Sequence, residues 1–159
     1  YEIMPSLVGS EMCIRDSLTG SYDPAQVICT VGGVILSGLS DGDSIIARRA
    51  EDAYFTRVGT DGGVARARNA NKMGEFEFKL LQTSPANDLL SALLATDDLT
   101  NDGLIVIPIS VVDGSGRSLA AATQCWIKSV PEATFGKEVS ERVWVFSAAD
   151  LKIFHGGGN

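Results

Sequence analysis

The sequence predicts a mainly β fold, an antiparallel β-sandwich or barrel with one α-helix at about residues 84–99. Three observations support this. Residues 75–80 alternate charged and apolar side chains, which is the period of a half-buried antiparallel strand. Short runs rich in Val, Ile and Phe are separated by glycine-containing turns. Helical spacing of apolar residues is convincing in one segment, at Leu89, Leu90, Leu93 and Leu94.

Composition sets limits on function. The chain has 159 residues, of which 45% are hydrophobic, and this is typical of a single globular domain. A net charge of −7 argues against attraction to nucleic acid or an anionic membrane, so contact with DNA should be non-adhesive. The scattered Cys13, Cys29 and Cys125 form neither a disulfide framework nor a zinc motif. We therefore expect no cofactor, no metal and no membrane partner.

Residues 1–17 do not read as part of a folded domain. Glu2, Glu11, Arg15 and Asp16 interrupt every apolar run, which excludes a signal peptide. In one reading frame, residues 7–17 are similar to a translated transposase-type sequencing adapter. We expect a non-native, disordered leader at 1–17 and one β domain at 18–159.

The first half of the domain reads as hairpins. Residues 27–31 and 34–36 flank Gly32 and Gly33, a two-residue turn that closes a tight hairpin. After the loop at 39–43 come strands at 44–49 and 54–58, and a turn at 59–63 leads to the return strand at 64–68. Arg57, Arg66 and Arg68 are spaced by two within their strands, which predicts a basic stripe on one face. That stripe is either solvated or bonded to a neighbour's carboxylates.

The second half starts with the helix, for which Ser84 suits the N-cap and Pro85 the first helical position. Residues 104–112 and 118–130 predict a hairpin, and Pro108 places its first strand at a sheet edge or a bulge. Residues 139–148 and 151–154 supply the last strands. The strand at 139–148 is apolar on both faces, so it is either central or covered by another subunit.

Residues with catalytic potential are few. The single histidine, His155, lies in a glycine-rich tail, where a proton-transfer geometry cannot be held. Asp97 and Asp98 lie late on the helix and read as solvated. The sequence therefore predicts no enzyme.

Residues 18–159 resemble a family of structural proteins from contractile-tailed bacteriophages (myoviruses). The members of this family are the proteins of the tail tube. The strongest block is the strand-to-helix junction at 82–94. The other blocks are residues 19–24, 51–52 with 55–56 and 58–59, 61–62, 71–74, 81–88, 135–140 and 157–159.

The resemblance implies a β subunit that forms hexameric rings, stacked into a hollow tube for DNA ejection. Its partners would be further copies of itself and the tail sheath and baseplate proteins. The protein would belong to the virion tail and assemble in the host bacterial cytoplasm. DNA would pass through the tube without tight binding.

Several residues are expected at subunit interfaces. The arm at 19–26 and the loop at 37–53 are expected to contact neighbours, and the strands at 104–112 and 139–148 are candidates for shared sheets. The interface candidates are Tyr22, Asp23, Pro24, Leu39, Asp41, Asp43, Arg57, Arg66, Arg68, Trp144 and Phe146. Glu75, Glu77 and Lys79 are candidates for the lumen, with an ordinary solvated face as the alternative.

Three other functions remain open. Another tail component of the same fold, such as a tube terminator, a baseplate protein or an injectisome-like tube protein, is the nearest. A β-sandwich binding module for carbohydrate or peptide would need an exposed aromatic cluster, whereas Tyr54, Phe55, Trp126 and Trp144 are spread through the strands. An enzyme on a barrel scaffold is disfavoured because a catalytic base is missing.

Overall fold

Strands dominate the computed structural model, which describes residues 23–100, 102–103, 105–114 and 118–156. The leader at 1–17, Tyr22 and the terminal residues 157–159 lie outside the described residues. The strands are β1 (Val27–Val31), β2 (Val34–Ile35), β3 (Ile45–Arg49), β4 (Tyr54–Val58), β5 (Val64–Arg68), β6 (Gly74–Leu81), β7 (Ile107–Asp113), β8 (Leu119–Ser129), β9 (Glu141–Ala148) and β10 (Lys152–Phe154). The helix α1 spans Ala86–Leu99.

Eight of these strands form one antiparallel sheet in the order β2-β1-β7-β8-β9-β6-β3, with β10 paired to β8. The first part of β8 pairs with β10 and its second part with β9. The sheet folds over so that Ile45 and Ala47 of β3 lie across a small cavity from Val111 and Ile153. The predicted mainly β antiparallel fold with one helix is confirmed.

The core is formed by the inward side of this sheet. In β6 the inward residues Phe76, Phe78 and Leu80 are fully buried, as the alternation predicts. Phe146 of β9 meets Phe78 edge to face, with ring centroids 5.6 Å apart. Each fully buried side chain of this size contributes about 1.5–3 kcal/mol to stability. These central strands therefore carry much of the apolar stabilisation.

Helix α1 begins as the sequence predicts. Ser84 Oγ accepts the Ala86 N–H at 3.2 Å and donates to the Ser37 carbonyl at 2.5 Å. Pro85 lies directly before Ala86 and already has helical dihedral angles. The helix is attached to β9 through Trp144 Nε1, which donates to Asn87 Oδ1 at 3.0 Å. Of the leucine stripe, only Leu90 is fully buried and Leu89 is exposed.

The two strands predicted to form sheets shared between subunits lie inside the subunit's own sheet. Strand β7 lies between β1 and β8, and β9 lies between β8 and β6, so neither has a free edge with which to extend a sheet into another subunit. Pro108 coincides with a register shift between Ile107 and Ile109, which is the bulge alternative. The strand at 139–148 is apolar on both faces because it is central.

The β4–β5 hairpin is separate from the main sheet. Its two strands pair with each other, and no other described strand pairs with them. At its base, the buried Asn69 donates its side-chain amide to Glu51 Oε2 and to the Asp52 carbonyl, at 2.8 and 2.9 Å. At its tip, Asp61 Oδ1 accepts the Gly63 N–H, and Gly62 has a φ of +84°. The hairpin is therefore fixed at both ends.

Candidate assembly surfaces

The outer side of β6 forms a charged face with its neighbouring strands. Arg48 of β3 bonds Glu75 and Glu77 at 3.4 and 3.3 Å, and Lys128 of β8 bonds Glu75 from the other side. The bond to Lys128 and then that to Arg48 hold the pKa of Glu75 below its ordinary value. Lys79 lies on the same face, so the two carboxylates are matched by basic side chains. This face is polar without being acidic.

The β4–β5 hairpin is exposed on both of its faces, with all ten strand residues open to solvent. Thr56 pairs with Arg66 and Tyr54 with Arg68, so these four residues share one face. The Arg66 guanidinium lies over the Tyr54 ring, 5.1 Å from its centroid. Arg66 and Arg68 make no ion pair with any residue that the structure describes.

The pairing of β4 with β5 shows that the prediction of one basic stripe was wrong. Arg57 pairs with Ala65 and Phe55 with Ala67, which places Arg57 on the face opposite to Arg66 and Arg68. Each hairpin face therefore carries arginine beside one aromatic side chain. The face of Phe55, Arg57, Ala65 and Ala67 is here called the Phe55 face.

The outer side of β1, β7, β8 and β10 forms an apolar face that sequence analysis missed. Ile28 pairs with Val112, Val112 with Leu119, and Leu119 with Phe154, so the four side chains form one row across four strands. All four are between 42% and 61% exposed. Only the register reveals this row, because its members are far apart in sequence.

The neighbouring row on the same side consists of smaller residues. Thr30 pairs with Ser110, Ser110 with Ala121, and Ala121 with Lys152. These residues line a hollow of about 500 Å³, at which Asp150 also lies. The apolar face is defined here as the row of Ile28, Val112, Leu119 and Phe154 together with this hollow.

The other predicted interface residues fall in different environments. Asp23 and Pro24 form an exposed turn before β1, in which Asp23 Oδ1 accepts the Ala25 N–H at 3.0 Å. Asp41 and Asp43 are exposed in their loop, whereas Leu39 is half-buried and bridges to Leu80. These residues are not brought together into one site.

Trp144 and Phe146 are removed from the interface candidates. Their exposed fractions are 2% and 0%, because both side chains pack into the subunit's own core. A neighbouring chain cannot reach them without unfolding β9.

Groups with catalytic potential are dispersed in the described part of the chain. Burial raises the pKa of the Cys29 thiol to about 12 and that of Cys125 to about 11, so neither is a thiolate at neutral pH. No group of three metal-ligating side chains occurs among the described residues. No described helix is long and apolar enough to cross a membrane.

A β subunit with an unpaired hairpin, an apolar face and a charged face has the features of a structural assembly protein. The sequence profile of the family described as Bacteriophage PhiTE tail tube protein matches residues 21–156, and the chain belongs to this family. It is therefore a phage structural protein of the tail and not an enzyme.

Similar proteins agree with this family. The chain is 31% identical over 147 residues to "Structural protein ORF10" of Pseudomonas phage KPP10, covering 87% of this chain and 84% of that protein.

Three solved structures share the fold. A chain of the anti-feeding prophage tube terminating cap has a TM-score of 0.61 at 10% identity, covering 86% of this chain and 93% of that chain. The sheath/tube terminator of the extracellular contractile injection system PVC has a TM-score of 0.58 at 10% identity, covering 85% and 97%. A chain of the PVC sheath-tube complex has a TM-score of 0.60 at 9% identity, covering 84% and 91%.

Proposed function

We propose that this protein is the repeating subunit of a contractile phage tail tube. Copies form stacked hexameric rings around a lumen through which DNA is ejected, and the tail sheath surrounds them. The tube is built in the host bacterial cytoplasm and remains in the virion tail. The family supports the tail tube role, and the related sheath-tube complex supports a sheath partner.

The observation that carries the proposal is the presence on one subunit of two unlike surfaces that no described residue covers. The β4–β5 hairpin projects, while the apolar face is open, with side chains 42% to 61% exposed along its row. Rings and filaments need such heterologous contacts, since a self-complementary patch closes a dimer instead. A soluble monomer rarely exposes a contiguous apolar patch of this kind.

Further residues are assigned to assembly within this proposal. The turn at Asp23 and Pro24 with the preceding arm that includes Tyr22, and the loop with Leu39, Asp41 and Asp43, contact neighbouring subunits. So do Arg57, Arg66 and Arg68 of the hairpin.

Glu75, Glu77 and Lys79 face the lumen. Glu75 and Glu77 are ion-paired with Arg48 and Lys128, so the face carries little net charge, and this suits a wall along which DNA slides without adhesion.

Electron microscopy of the concentrated, purified protein tests the proposal. The full chain and a chain starting at Thr19 behind an initiator Met are compared. Hollow tubes or rings from either chain are the expected result, and sixfold averages would support the hexamer. Compact monomers from both chains at every concentration would contradict the proposal.

A tube terminator is the second candidate, because two of the structural relatives are described as a terminating cap and a sheath/tube terminator. A terminator would form single rings that bind one end of a tube and stop its growth. Stacked tubes from the isolated protein would therefore favour the repeating subunit. Single rings that never stack would favour the terminator.

A further inference from the structure

We propose that the apolar face of one copy receives the β4–β5 hairpin of a second copy, with the Phe55 face inward and the Phe55 ring in the hollow. This inference rests on the proposed self-assembly and names the two surfaces that meet. The occupant is a second copy of this chain.

The hairpin needs a partner on physical grounds. An isolated two-stranded hairpin is marginally stable in water, because it has no third strand or helix on which to bury a face. Here both faces are open, and Phe55 is 55% exposed. The bonds at Asn69 and Asp61 nevertheless hold the ribbon in one shape, which lowers the entropy lost on docking.

The two surfaces match in size. Five-residue strands give the ribbon a length of roughly 17 Å. The row on the apolar face crosses four strands, which at roughly 4.8 Å spacing extends for about 15 Å. The hollow beside it, of about 500 Å³, has room for one aromatic side chain and the backbone next to it.

The choice of hairpin face follows from its side chains. The Phe55 face carries one aromatic ring between small alanines and a single charge, Arg57. Its ring can enter the hollow between Thr30, Ser110 and Ala121. The lining of the hollow also includes Lys152 and Asp150, and the Asp150 carboxylate can pair with the single charge of Arg57. The opposite face carries two charges, Arg66 and Arg68, for which the hollow offers the single carboxylate of Asp150 and also the positive charge of Lys152.

A pair of Phe→Ala substitutions tests the hairpin side. Phe55→Ala is expected to raise the concentration needed for assembly by about tenfold or more, since it removes the side chain that fills the hollow. Phe135→Ala is the matched control, because it makes the same change at a side chain that is 83% exposed in the loop before β9. This control is expected to change the same concentration by less than about twofold.

A second pair tests the receiving side. Leu119→Lys places a charge in the centre of the apolar row and is expected to prevent assembly at concentrations where the unchanged protein assembles. Leu99→Lys is the control, because Leu99 is 83% exposed at the end of α1, away from this row. Sedimentation velocity below the assembly concentration tests whether each variant is still a folded monomer.

Cross-linking identifies the occupant directly. One chain carries Phe55→Cys and the other Ser110→Cys, both with Cys13→Ser. Cys29 and Cys125 are buried and stay unreactive. Oxidation of the mixed assembly is expected to give disulfide-linked heterodimers, whereas Tyr54→Cys with Ser110→Cys is expected to give none.

The outcomes separate this inference from the proposed function. If the unchanged protein forms tubes and Phe55→Ala and Leu119→Lys assemble equally well, the docking assignment is wrong and the tube function stands. Dimers joined through Ser110→Cys on both chains would also overturn it, in favour of face-to-face packing. If the unchanged protein never assembles, the proposed function fails and the inference fails with it.

Discussion

At the scale of single residues, Glu75 links three strands of the sheet. It bonds Lys128 of β8 and Arg48 of β3, and its carboxyl group is only partly accessible. Partly exposed ion pairs of this kind contribute up to about 1 kcal/mol. Because of these two bonds, the stability of the subunit should depend on pH in a way that can be measured.

We predict that Glu75→Gln lowers the free energy of unfolding by about 0.5–1 kcal/mol at pH 7. Because the folded-state pKa of Glu75 is below its ordinary value of 4.5, the stabilisation is present above pH 4.5 and is lost as the pH falls through the folded pKa. Urea unfolding should show the two proteins converging in acid. An equal difference at pH 7 and in acid would contradict the ion-pair explanation. Glu138→Gln, at an exposed position, is the control.

Gly74 is a second residue on which the fold depends. A Cβ at this position would lie 2.3 Å from Leu151 Cδ2 and 2.8 Å from the Arg48 carbonyl oxygen. We predict that Gly74→Ala costs about 1–3 kcal/mol of stability through overpacking. Gly136→Ala is the control, since nothing lies within 4 Å of its Cβ position. Equal unfolding midpoints for the two variants would show that β6 and Leu151 can move apart at little cost.

At the scale of elements, Ser84 joins the helix to the loop that precedes β3. Its hydroxyl group caps α1 at Ala86 and donates to Ser37. We predict that Ser84→Ala lowers the free energy of unfolding by about 1–2 kcal/mol, the value of a lost N-cap and a lost buried hydrogen bond. Thr83→Ala, at the exposed preceding position, should change it by less than about 0.5 kcal/mol. Denaturant unfolding of the two variants measures the difference.

The elements also show where prediction from sequence succeeds and where it fails. The alternation in β6, the turn at Gly32 and Gly33 and the cap at Ser84 are local signals, so each identifies its element correctly. The side of the hairpin on which Arg57 lies is not determined by the local sequence. Whether it joins Arg66 depends on how β4 pairs with β5 across a five-residue turn, and a shift of one residue would reverse the answer.

Long-range pairing limits the prediction of the candidate site in the same way. The apolar row joins Ile28, Val112, Leu119 and Phe154, which become neighbours only once four strands are paired. The apolar pattern of β9 indicates burial, but not by which molecule. The subunit's own core covers Trp144 and Phe146, a result that requires the position of β9 within the sheet.

At the scale of the whole molecule, charge is distributed unevenly. The chain carries a net charge of −7, and α1 contains three aspartates without a basic residue. The charged face is balanced by its ion pairs, whereas Arg57, Arg66 and Arg68 put positive charge on the projecting hairpin and form no ion pair with a described carboxylate. Because both carry a net negative charge, two such subunits repel each other at long range. The hairpin is positively charged, so it is the part of one copy that an acidic neighbour attracts.

This distribution predicts that assembly of charge-reversed hairpins depends on salt. Arg66→Glu or Arg68→Glu removes attraction and adds repulsion, so either should raise the concentration needed for assembly more in low salt than in high salt. The screening length of electrostatic interactions is about 30 Å at an ionic strength of 0.01 M and about 3 Å at 1 M. Light scattering across this range measures the effect. Lys137→Glu makes the same change of charge on an exposed loop residue and should have a smaller effect. A defect of equal size at both salt concentrations would point to misfolding of the hairpin, and not to a lost attraction between subunits.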